Sequence, residues 1–143
     1  MVVMCTAAAL GLFRTTAASA SDVDAASVAR VILKQTNAVR AEHGLAPVTY
    51  SSDLAGHGVE ASAVAMAKTG ALVHDSAIFD SLSPQPSSWG ENLADGVDHT
   101  KVVAAWMASP QQRANLLGDY DSMAVGYAVD ANGRTWYVQE FVG

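Results

Sequence analysis

Apolar residues recur at helical spacing in the first half of the chain and define two predicted helices. Residues 25–42 carry an apolar residue every three or four positions, and Gly44 follows as a C-terminal stop. A second helix is predicted to begin at Ser51 or Ser52, either of which suits an N-cap, and to end at Gly70. Its many small residues indicate that a neighbouring element packs very close to it.

The middle of the chain mixes non-periodic stretches with one more helix. Residues 45–50 contain a proline and are predicted to be extended. Residues 74–90 are rich in Ser, Pro and Asp, follow no period, and are predicted to form a long surface loop of a kind that is often functional. A third helix is predicted to begin at Asp98 as N-cap and to end at Ser109, because Pro110 follows.

Two segments of alternating polarity, MAVGYAV and RTWYVQEFV, close the chain and predict a β-hairpin. The DANG sequence between them favours a tight turn at its Asn-Gly pair. Trp106, Trp136 and Phe141 are predicted to lie in the core. Helices followed by a terminal hairpin, in a chain of 143 residues, predict one α+β domain.

The charge of the chain argues against nucleic acid as a partner. The formal net charge is −6, with a pI near 4.9. The basic residues are few and scattered: Arg14, Arg30, Lys34, Arg40, Lys68, Lys101, Arg113 and Arg134. Because nucleic-acid binders carry a clustered basic surface, that class is excluded, and so is binding to anionic membranes through charge alone.

Residues 1–20 have the composition of a secretory signal peptide. An apolar run from Val2 to Phe13 is followed by small residues that end in Ala-Ser-Ala, a signal-peptidase pattern. The run is too short to span a membrane. Cleavage after Ala20 is predicted, and residues 21–143 then form a single domain that is secreted or held in the cell envelope, without a transmembrane span.

Two features qualify this prediction. No basic residue precedes the apolar run, and Arg14 lies behind it, which a misplaced start codon would explain. Cys5 is the only cysteine, but the residues before it make a poor lipid-attachment sequence, so cleavage is favoured over lipidation. A mature chain that begins at Ser21 has no cysteine and relies on packing without disulfides.

The common catalytic motifs are absent from the sequence. The four histidines, His43, His57, His74 and His99, include no pair four residues apart around a glutamate, as a zinc-protease helix requires. There is no G-x-S-x-G nucleophile motif and no glycine-rich phosphate loop. Any chemistry must therefore come from dispersed side chains.

Four dispersed motifs together point to a family. They are Asn37 and Arg40 before Gly44-Leu45; Met66, Gly70 and His74; Gly90-Glu91-Asn92; and Trp106 with Ser109-Pro110, Arg113-Ala114-Asn115 and Leu116-Leu117. In this order and spacing the chain resembles the CAP superfamily (cysteine-rich secretory proteins, antigen 5 and pathogenesis-related 1; the SCP domain), and in particular its short bacterial secreted members. The resemblance covers residues 28–142, and each motif alone would be weak.

The resemblance implies an α-β-α sandwich in which helices flank a small antiparallel sheet, with an open cleft on one side. Family members carry histidines and acids in this cleft, sometimes with a divalent metal. His74 matches the first histidine, and Glu91 matches the acid of the Gly-Glu-Asn motif. The second histidine of the family is replaced, since Gln111 and Gln112 stand where the family has Gly and His. The eukaryotic members carry a further glutamate, which has no clear equivalent before Ser109 in this chain.

Gln112 has two competing interpretations. In one interpretation it occupies a site position of the family. In the other, Ser109-Pro110-Gln111-Gln112 forms a helix-capping box in which the Gln112 side chain accepts a hydrogen bond from the Ser109 N–H. The capping interpretation is favoured. A tightly held zinc ion needs at least three good ligands from thiolate, imidazole and carboxylate. We therefore expect no high-affinity metal and no cofactor, with His74 and Glu91 as weak candidates for a divalent ion such as zinc.

The remaining motif residues receive structural or cleft roles. Glu91, in a predicted tight turn, is expected to orient His74 or to organise backbone N–H groups. Without the resemblance, a bond from His74 to a loop carbonyl is the favoured interpretation, and with the resemblance a site role is favoured. Trp89 and Asn92 are expected to line the cleft with them. Arg113 is expected to pair with an acid or with strand carbonyls. The family motif gives structural roles to Asn37, Arg40, Trp106, Ser109, Arg113 and Asn115.

Three functions remain open from the sequence. The favoured one is a secreted, non-enzymatic binding module whose cleft around His74 and Glu91 takes a small or lipid-like ligand, or whose surface meets an envelope partner. The second is a hydrolase in which Glu91 acts as base with His74, although nothing supplies the electrophilic stabilisation. The third is a purely structural envelope protein.

Overall fold

A computed structural model describes residues 23–143. The predicted signal peptide, residues 1–20, and the predicted first mature residue, Ser21, lie outside the described part of the chain. Of the helices described, none is long and apolar enough to cross a membrane.

The described chain forms six α-helices, a π-helical turn and four strands. The helices are α1 (Ala25–Glu42), α2 (Ser52–Leu54), α3 (Glu60–Thr69), α4 (Ser76–Ser81), α5 (Val102–Ala108) and α6 (Pro110–Leu116). The π-helical turn, Ala55–Val59, joins α2 to α3. The strands are β1 (Thr49–Tyr50), β2 (Trp89–Asp95), β3 (Ser122–Val129) and β4 (Thr135–Val142).

The four strands form one sheet in the order β1-β3-β4-β2. β3 and β4 form the predicted terminal hairpin, and β2 pairs antiparallel with the other side of β4. The two-residue β1 runs parallel to β3, so the sheet is mixed rather than wholly antiparallel. As a result β2 lies at one edge of the sheet and its outer backbone groups need partners from elsewhere.

Helices cover both faces of the sheet and enclose two apolar clusters. On one face α1, α5 and α6 bury Ile32, Trp106 and Leu116 against the sheet. On the other face α2, α3 and α4 pack with Trp136 and neighbouring strand residues. Phe141 joins the first cluster, so all three large aromatic residues assigned to the core are buried, and the predicted α-β-α sandwich is confirmed.

The predicted second helix is interrupted. At His57 and Gly58 the backbone leaves helical geometry, and Gly58 has φ +103°, which glycine adopts without steric cost. The resulting turn presses against β3, because a Cβ built on Gly126 would stand 2.2 Å from the Val59 carbonyl oxygen. The expected close packing is confirmed there, and the interruption marks a place where tertiary contact overrides helical period.

The predicted loop over residues 74–90 is partly wrong. It contains α4, whose N-cap Asp75 accepts a hydrogen bond from the Ala77 N–H at 3.0 Å. Its last two residues, Trp89 and Gly90, belong to β2. Glu91 and Asn92 follow in the same strand, so the tight turn predicted at Gly90-Glu91-Asn92 is wrong. α4 has only six residues, too few for a helical period to stand out.

The predicted start of the third helix is also wrong. Asp98 Oδ1 accepts from the Thr100 N–H at 2.8 Å and shapes a turn. α5 itself begins only at Val102, after Lys101, which makes no side-chain capping bond. Asp98 therefore stabilises the turn before the helix, because an Asp side chain can bond its own backbone two residues on.

Candidate functional site

His74 and Glu91 are in direct contact, as expected. Gly70, with φ +70°, ends α3, and the chain then carries His74 toward β2. The imidazole Nδ1 of His74 lies against Glu91 Oε1. The His74 side chain is 70% exposed whereas that of Glu91 is only 1% exposed. A buried acid thus holds a surface imidazole by one nitrogen and leaves the rest of the ring in solvent.

A second buried acid lies behind this pair. Glu140 of β4 is directly opposite Glu91 of β2 and is fully buried. Its Oε2 accepts a hydrogen bond of 2.7 Å from Trp89 Nε1. The sequence interpretation missed Glu140, although an acid in the otherwise apolar alternation Trp136, Val138, Glu140 was a usable signal. It supplies a second carboxylate to the site from a different strand.

The two carboxylates share one environment and repel each other if both are ionised. Burial, followed by the hydrogen bond with Glu91 and the charge of Glu91, raises the pKa of Glu140 to about 10. Glu91 Oε2 and Glu140 Oε1 are buried and have no other hydrogen-bond partner. A proton on Glu140 removes the repulsion and supplies the missing donor. Glu140 is therefore protonated at neutral pH.

A shallow concavity of about 480 Å³, named the polar cleft, opens at this pair. It is lined by His74, Ser76, Trp89, Gly90, Glu91 and Asn115. The ring of Trp89 packs on Phe79 of α4, with centroids 5.7 Å apart. The expectation that Trp89 lies beside His74 and Glu91 in the cleft agrees with this geometry.

Asn92 lies on the opposite face of the sheet and not in the polar cleft. Successive strand residues point to opposite faces, so Asn92 turns away from Glu91. It is fully buried, and its Nδ2 donates to the Gln112 carbonyl oxygen at 3.1 Å and to Gln139 Oε1 at 3.2 Å. Asn92 thus acts as a buried link between β2, α6 and β4.

Gln112 neither caps α6 nor reaches His74 by any hydrogen bond in the described structure. Its Nε2 donates to the Leu93 carbonyl oxygen at 2.6 Å, and Trp106 Nε1 donates to the same oxygen at 2.9 Å. Asn115 Nδ2 donates to the Glu91 carbonyl oxygen at 2.8 Å. Side chains of α5 and α6 therefore satisfy the carbonyl groups along the open edge of β2.

The predicted capping box is wrong. Ser109 precedes α6 as N-cap but makes no side-chain capping bond, and Pro110 occupies the first turn as predicted. Arg113 also has a different neighbour from the one expected, since its Nη2 lies 3.4 Å from His43 Nε2. Gln112 serves a strand edge instead of its own helix end, because β2, which the sequence did not reveal, lies beside α6.

Asn37 and Arg40 have the structural roles that the motif assigned to them. Asn37 exchanges two hydrogen bonds of 2.9 Å with the backbone of Val48. The buried Arg40 donates to the carbonyl oxygens of Ala46, Leu116 and Gly118. Together they join α1 to the chain before β1, and Arg40 also reaches the end of α6.

The residues at the polar cleft do not fit a resident metal ion. Over residues 23–143 no group of three or more His, Cys, Asp or Glu side chains is arranged to hold one. His74 Nδ1 already faces Glu91, and Glu140 is turned to Trp89 and is protonated. Gln112, at the family's second histidine position, is directed at a strand carbonyl.

The fold and these motifs agree with a known family. The model of the cysteine-rich secretory protein family, CAP, matches residues 33–141. The chain belongs to the CAP family. The predicted family membership is thus confirmed, and the matched range runs from the middle of α1 to near the end of β4. No curated protein matches the chain in sequence.

Solved bacterial structures share the fold of this CAP domain. An outer surface protein of Borrelia burgdorferi superimposes with a TM-score of 0.75 at 17% identity, over 84% of this chain and 95% of the other. An extracellular protein containing a SCP domain from Bacillus anthracis superimposes with a TM-score of 0.64 at 24% identity, over 82% of this chain and 40% of the other. A cysteine-rich secretory protein of Staphylococcus aureus superimposes with a TM-score of 0.65 at 22% identity, over 82% of this chain and 38% of the other. The chain thus spans about two fifths of these last two proteins.

Proposed function

We propose that this CAP domain is a secreted, non-enzymatic binding module whose polar cleft holds a small or lipid-like ligand. The observation that carries the proposal is the contact between buried Glu91 and exposed His74. If Glu91 Oε1 accepts at this contact, the proton lies on Nδ1 in the neutral tautomer of the imidazole. His74 Nε2 is then an oriented acceptor that faces solvent, beside the half-buried indole of Trp89.

Export of the protein is part of the proposal. It is supported by the signal-peptide pattern of residues 1–20 and by the extracellular and outer-surface descriptions of two structural neighbours. An exported domain would encounter its ligand or partner outside the cell or in its envelope.

A hydrolase with Glu91 as base together with His74 remains the alternative function, because hydrolytic sites use acid–imidazole pairs of this kind for proton transfer. The mature chain has neither a cysteine nucleophile nor a G-x-S-x-G motif. No Lys or Arg is among the described residues that line the polar cleft, so no cationic side chain there stabilises a developing oxyanion. These features favour binding without turnover.

The experiment compares compounds that leave with the exported protein. Wild type, His74→Ala and the control His99→Ala are purified from the medium, extracted with chloroform and methanol, and analysed by mass spectrometry. We expect a species present in wild type and His99→Ala and at least tenfold depleted in His74→Ala. Equal amounts in all three would contradict the proposal. Turnover of a short-chain p-nitrophenyl ester that Glu91→Gln abolishes would establish the hydrolase instead.

A further inference from the structure

One edge of the sheet is left open at a single residue of β1, the edge strand opposite β2. The N–H groups of Thr49 and Ser51 donate at 3.0 and 2.8 Å to carbonyl oxygens just before and within β3, so the N–H and C=O of Tyr50 point outward. Asn37 covers the outward groups of Val48, but no described residue bonds those of Tyr50. β1 thus offers one donor and one acceptor to a further strand.

A concavity of about 290 Å³ lies beside this open residue, between α1 and β1, and is called the α1–β1 recess here. It is lined by Ala26, Ala29, Arg30, Leu33 and Tyr50. Tyr50 is 42% exposed, and the two alanines leave room along one turn of α1. Small-molecule sites span about 300–1,000 Å³, so a recess of this size suits a single side chain. It shares no lining residue with the polar cleft.

We propose that the α1–β1 recess binds an extended, acidic peptide segment of a partner protein, which pairs antiparallel with β1 at Tyr50. One apolar side chain of the segment enters the recess, and an acidic side chain contacts Arg30. This site goes beyond the proposed function and does not depend on the polar cleft. Addition of a strand to an open sheet edge is a common mode of peptide recognition, in which backbone bonds supply affinity and side-chain pockets supply specificity.

The register of the added strand follows from the outward groups of Tyr50. In an antiparallel pair, the residue opposite such groups exchanges both hydrogen bonds with them, and its side chain lies on the same face of the sheet. The Tyr50 side chain lines the recess, so the opposed side chain of the segment enters it as well. Because Asn37 occupies the outward groups of Val48, pairing ends after this one residue. A single pair of backbone bonds predicts weak, exchangeable binding.

Arg30 selects an acidic segment. It is the only charged residue among the described residues that line the recess, and it is exposed. Its Nη2 donates to Ser27 Oγ at 2.7 Å, and no described acid forms an ion pair with it. The neighbouring Asp24 instead accepts from the N–H and the hydroxyl of Ser27. The other donors of the Arg30 guanidinium are left for a carboxylate two residues from the apolar side chain, on the same face of the added strand.

The probe is the peptide acetyl-Thr-Glu-Val-Leu-Val-Glu-Thr-amide, titrated into the isotope-labelled mature protein and followed by its amide signals in two-dimensional NMR. We expect saturable binding and a downfield shift of the Tyr50 amide proton, because that N–H gains an acceptor. The same peptide with Lys in place of each Glu should bind at least about fivefold more weakly. A version methylated at the Leu nitrogen cannot donate to the Tyr50 carbonyl oxygen and should also bind at least about fivefold more weakly.

Protein variants test the two side-chain contacts. Arg30→Gln should weaken binding at least about threefold. Its matched control is Lys34→Gln, which removes the same charge at an exposed position of α1 outside the recess and should bind as wild type does. Ala26→Trp fills the recess at an exposed position and should weaken binding at least about tenfold, whereas Ala104→Trp, at an exposed position of α5, should not. Melting temperatures show that each variant is folded.

Several outcomes would overturn the inference. An unshifted Tyr50 amide at saturation, or full binding of the methylated peptide, would exclude pairing at the sheet edge. Equal losses in Arg30→Gln and Lys34→Gln would reduce the acidic preference to net charge. Undiminished binding by folded Ala26→Trp would exclude the recess. A dimer in sedimentation that Ala26→Trp abolishes would assign the recess to a second copy of this chain, and absence of any peptide binding would contradict the proposal as a whole.

Discussion

Glu91 and Glu140 lie directly opposite each other on β2 and β4, and both are buried. Like charges at directly opposed positions of a sheet are destabilising. Trp89 donates to one oxygen of Glu140, and His74 contacts one oxygen of Glu91, which leaves one oxygen of each acid for a shared proton. A proton held by Glu140 thus removes the like-charge repulsion between the two acids.

The shared proton predicts an unusual dependence of stability on pH. The pKa of Glu140 is raised to about 10 in the fold, against 4.5 as its ordinary value. A raised pKa stabilises the folded state below the unfolded value, and this contribution is lost as the pH rises toward the folded value. Between pH 5 and 8 the wild type should therefore lose stability relative to Glu140→Gln.

Urea unfolding at pH 5, 6, 7 and 8 measures this effect. A glutamine amide can keep both bonds, accepting from Trp89 and donating to Glu91, so Glu140→Gln should fold. From pH 5 to pH 8 the free energy of unfolding of Glu140→Gln should rise relative to that of wild type by at least about 1 kcal/mol. Glu42→Gln, at an exposed position of α1, should parallel the wild type. If the free energies of unfolding of wild type and Glu140→Gln change in parallel with pH, Glu140 is ionised in the fold and the prediction is wrong.

The two adjacent glutamines of α6 should differ sharply in their effect on stability. Gln112→Ala removes a donor to the Leu93 carbonyl oxygen, which Trp106 still partly satisfies. The expected cost is about 1 kcal/mol in the free energy of unfolding. Gln111→Ala is the control, because Gln111 is exposed, and it should change stability by less than about 0.5 kcal/mol. Equal effects in chemical denaturation would contradict the edge-covering role of Gln112.

Two glycines test the contact between the π-helical turn and β3. A Cβ on Gly126 would stand 2.2 Å from the Val59 carbonyl oxygen, whereas a Cβ on Gly56 meets nothing within 4 Å. Gly126→Ala should cost about 2 kcal/mol or more, because backbone must shift. Gly56→Ala should be neutral or slightly stabilising, because it lies in a helical turn without crowding. Similar melting temperatures for the two variants would refute the close approach.

The sequence predicted the elements that carry a long local period and missed those that depend on distant partners. The residues predicted for α1, Ala25–Glu42, form that helix, and the terminal hairpin is present. β2 was missed because Gly90, Glu91 and Asn92 have little local preference for a strand. Their pairing is stabilised by β4 on one side and by α6 on the other.

In the candidate site, too, the residues that depend on distant partners were the ones that the sequence did not predict. His74 and Glu91 came from the family motif and are in contact. Glu140 could not be assigned from the motif, since its role depends on the register of β2 against β4. Gln112 was misassigned for the same reason, because its acceptor, the Leu93 carbonyl oxygen, belongs to a strand that the sequence did not reveal.

Processing at the N-terminus gives an independent prediction. Export should remove residues 1–20 after the Ala-Ser-Ala sequence, so that intact-mass analysis of the secreted protein shows Ser21 as its first residue. The mature chain then lacks Cys5 and has no disulfide, and its melting temperature should not change with reductant. An exported protein that retains residues 1–20 would defeat this prediction.

The polar cleft is tested most directly by the tryptophan signals of the exported protein. Trp89 is half-buried at the cleft, while Trp106 and Trp136 are buried in the two apolar clusters. Protein labelled with 5-fluorotryptophan is measured by fluorine NMR as secreted, and again after a hydrophobic resin has removed bound compounds. The Trp89→Phe variant lacks one of the three signals and so assigns the signal of Trp89. A shift of the Trp89 signal alone is the predicted result. Three unchanged signals, or shifts confined to Trp106 and Trp136, would contradict a ligand in the cleft of His74 and Glu91.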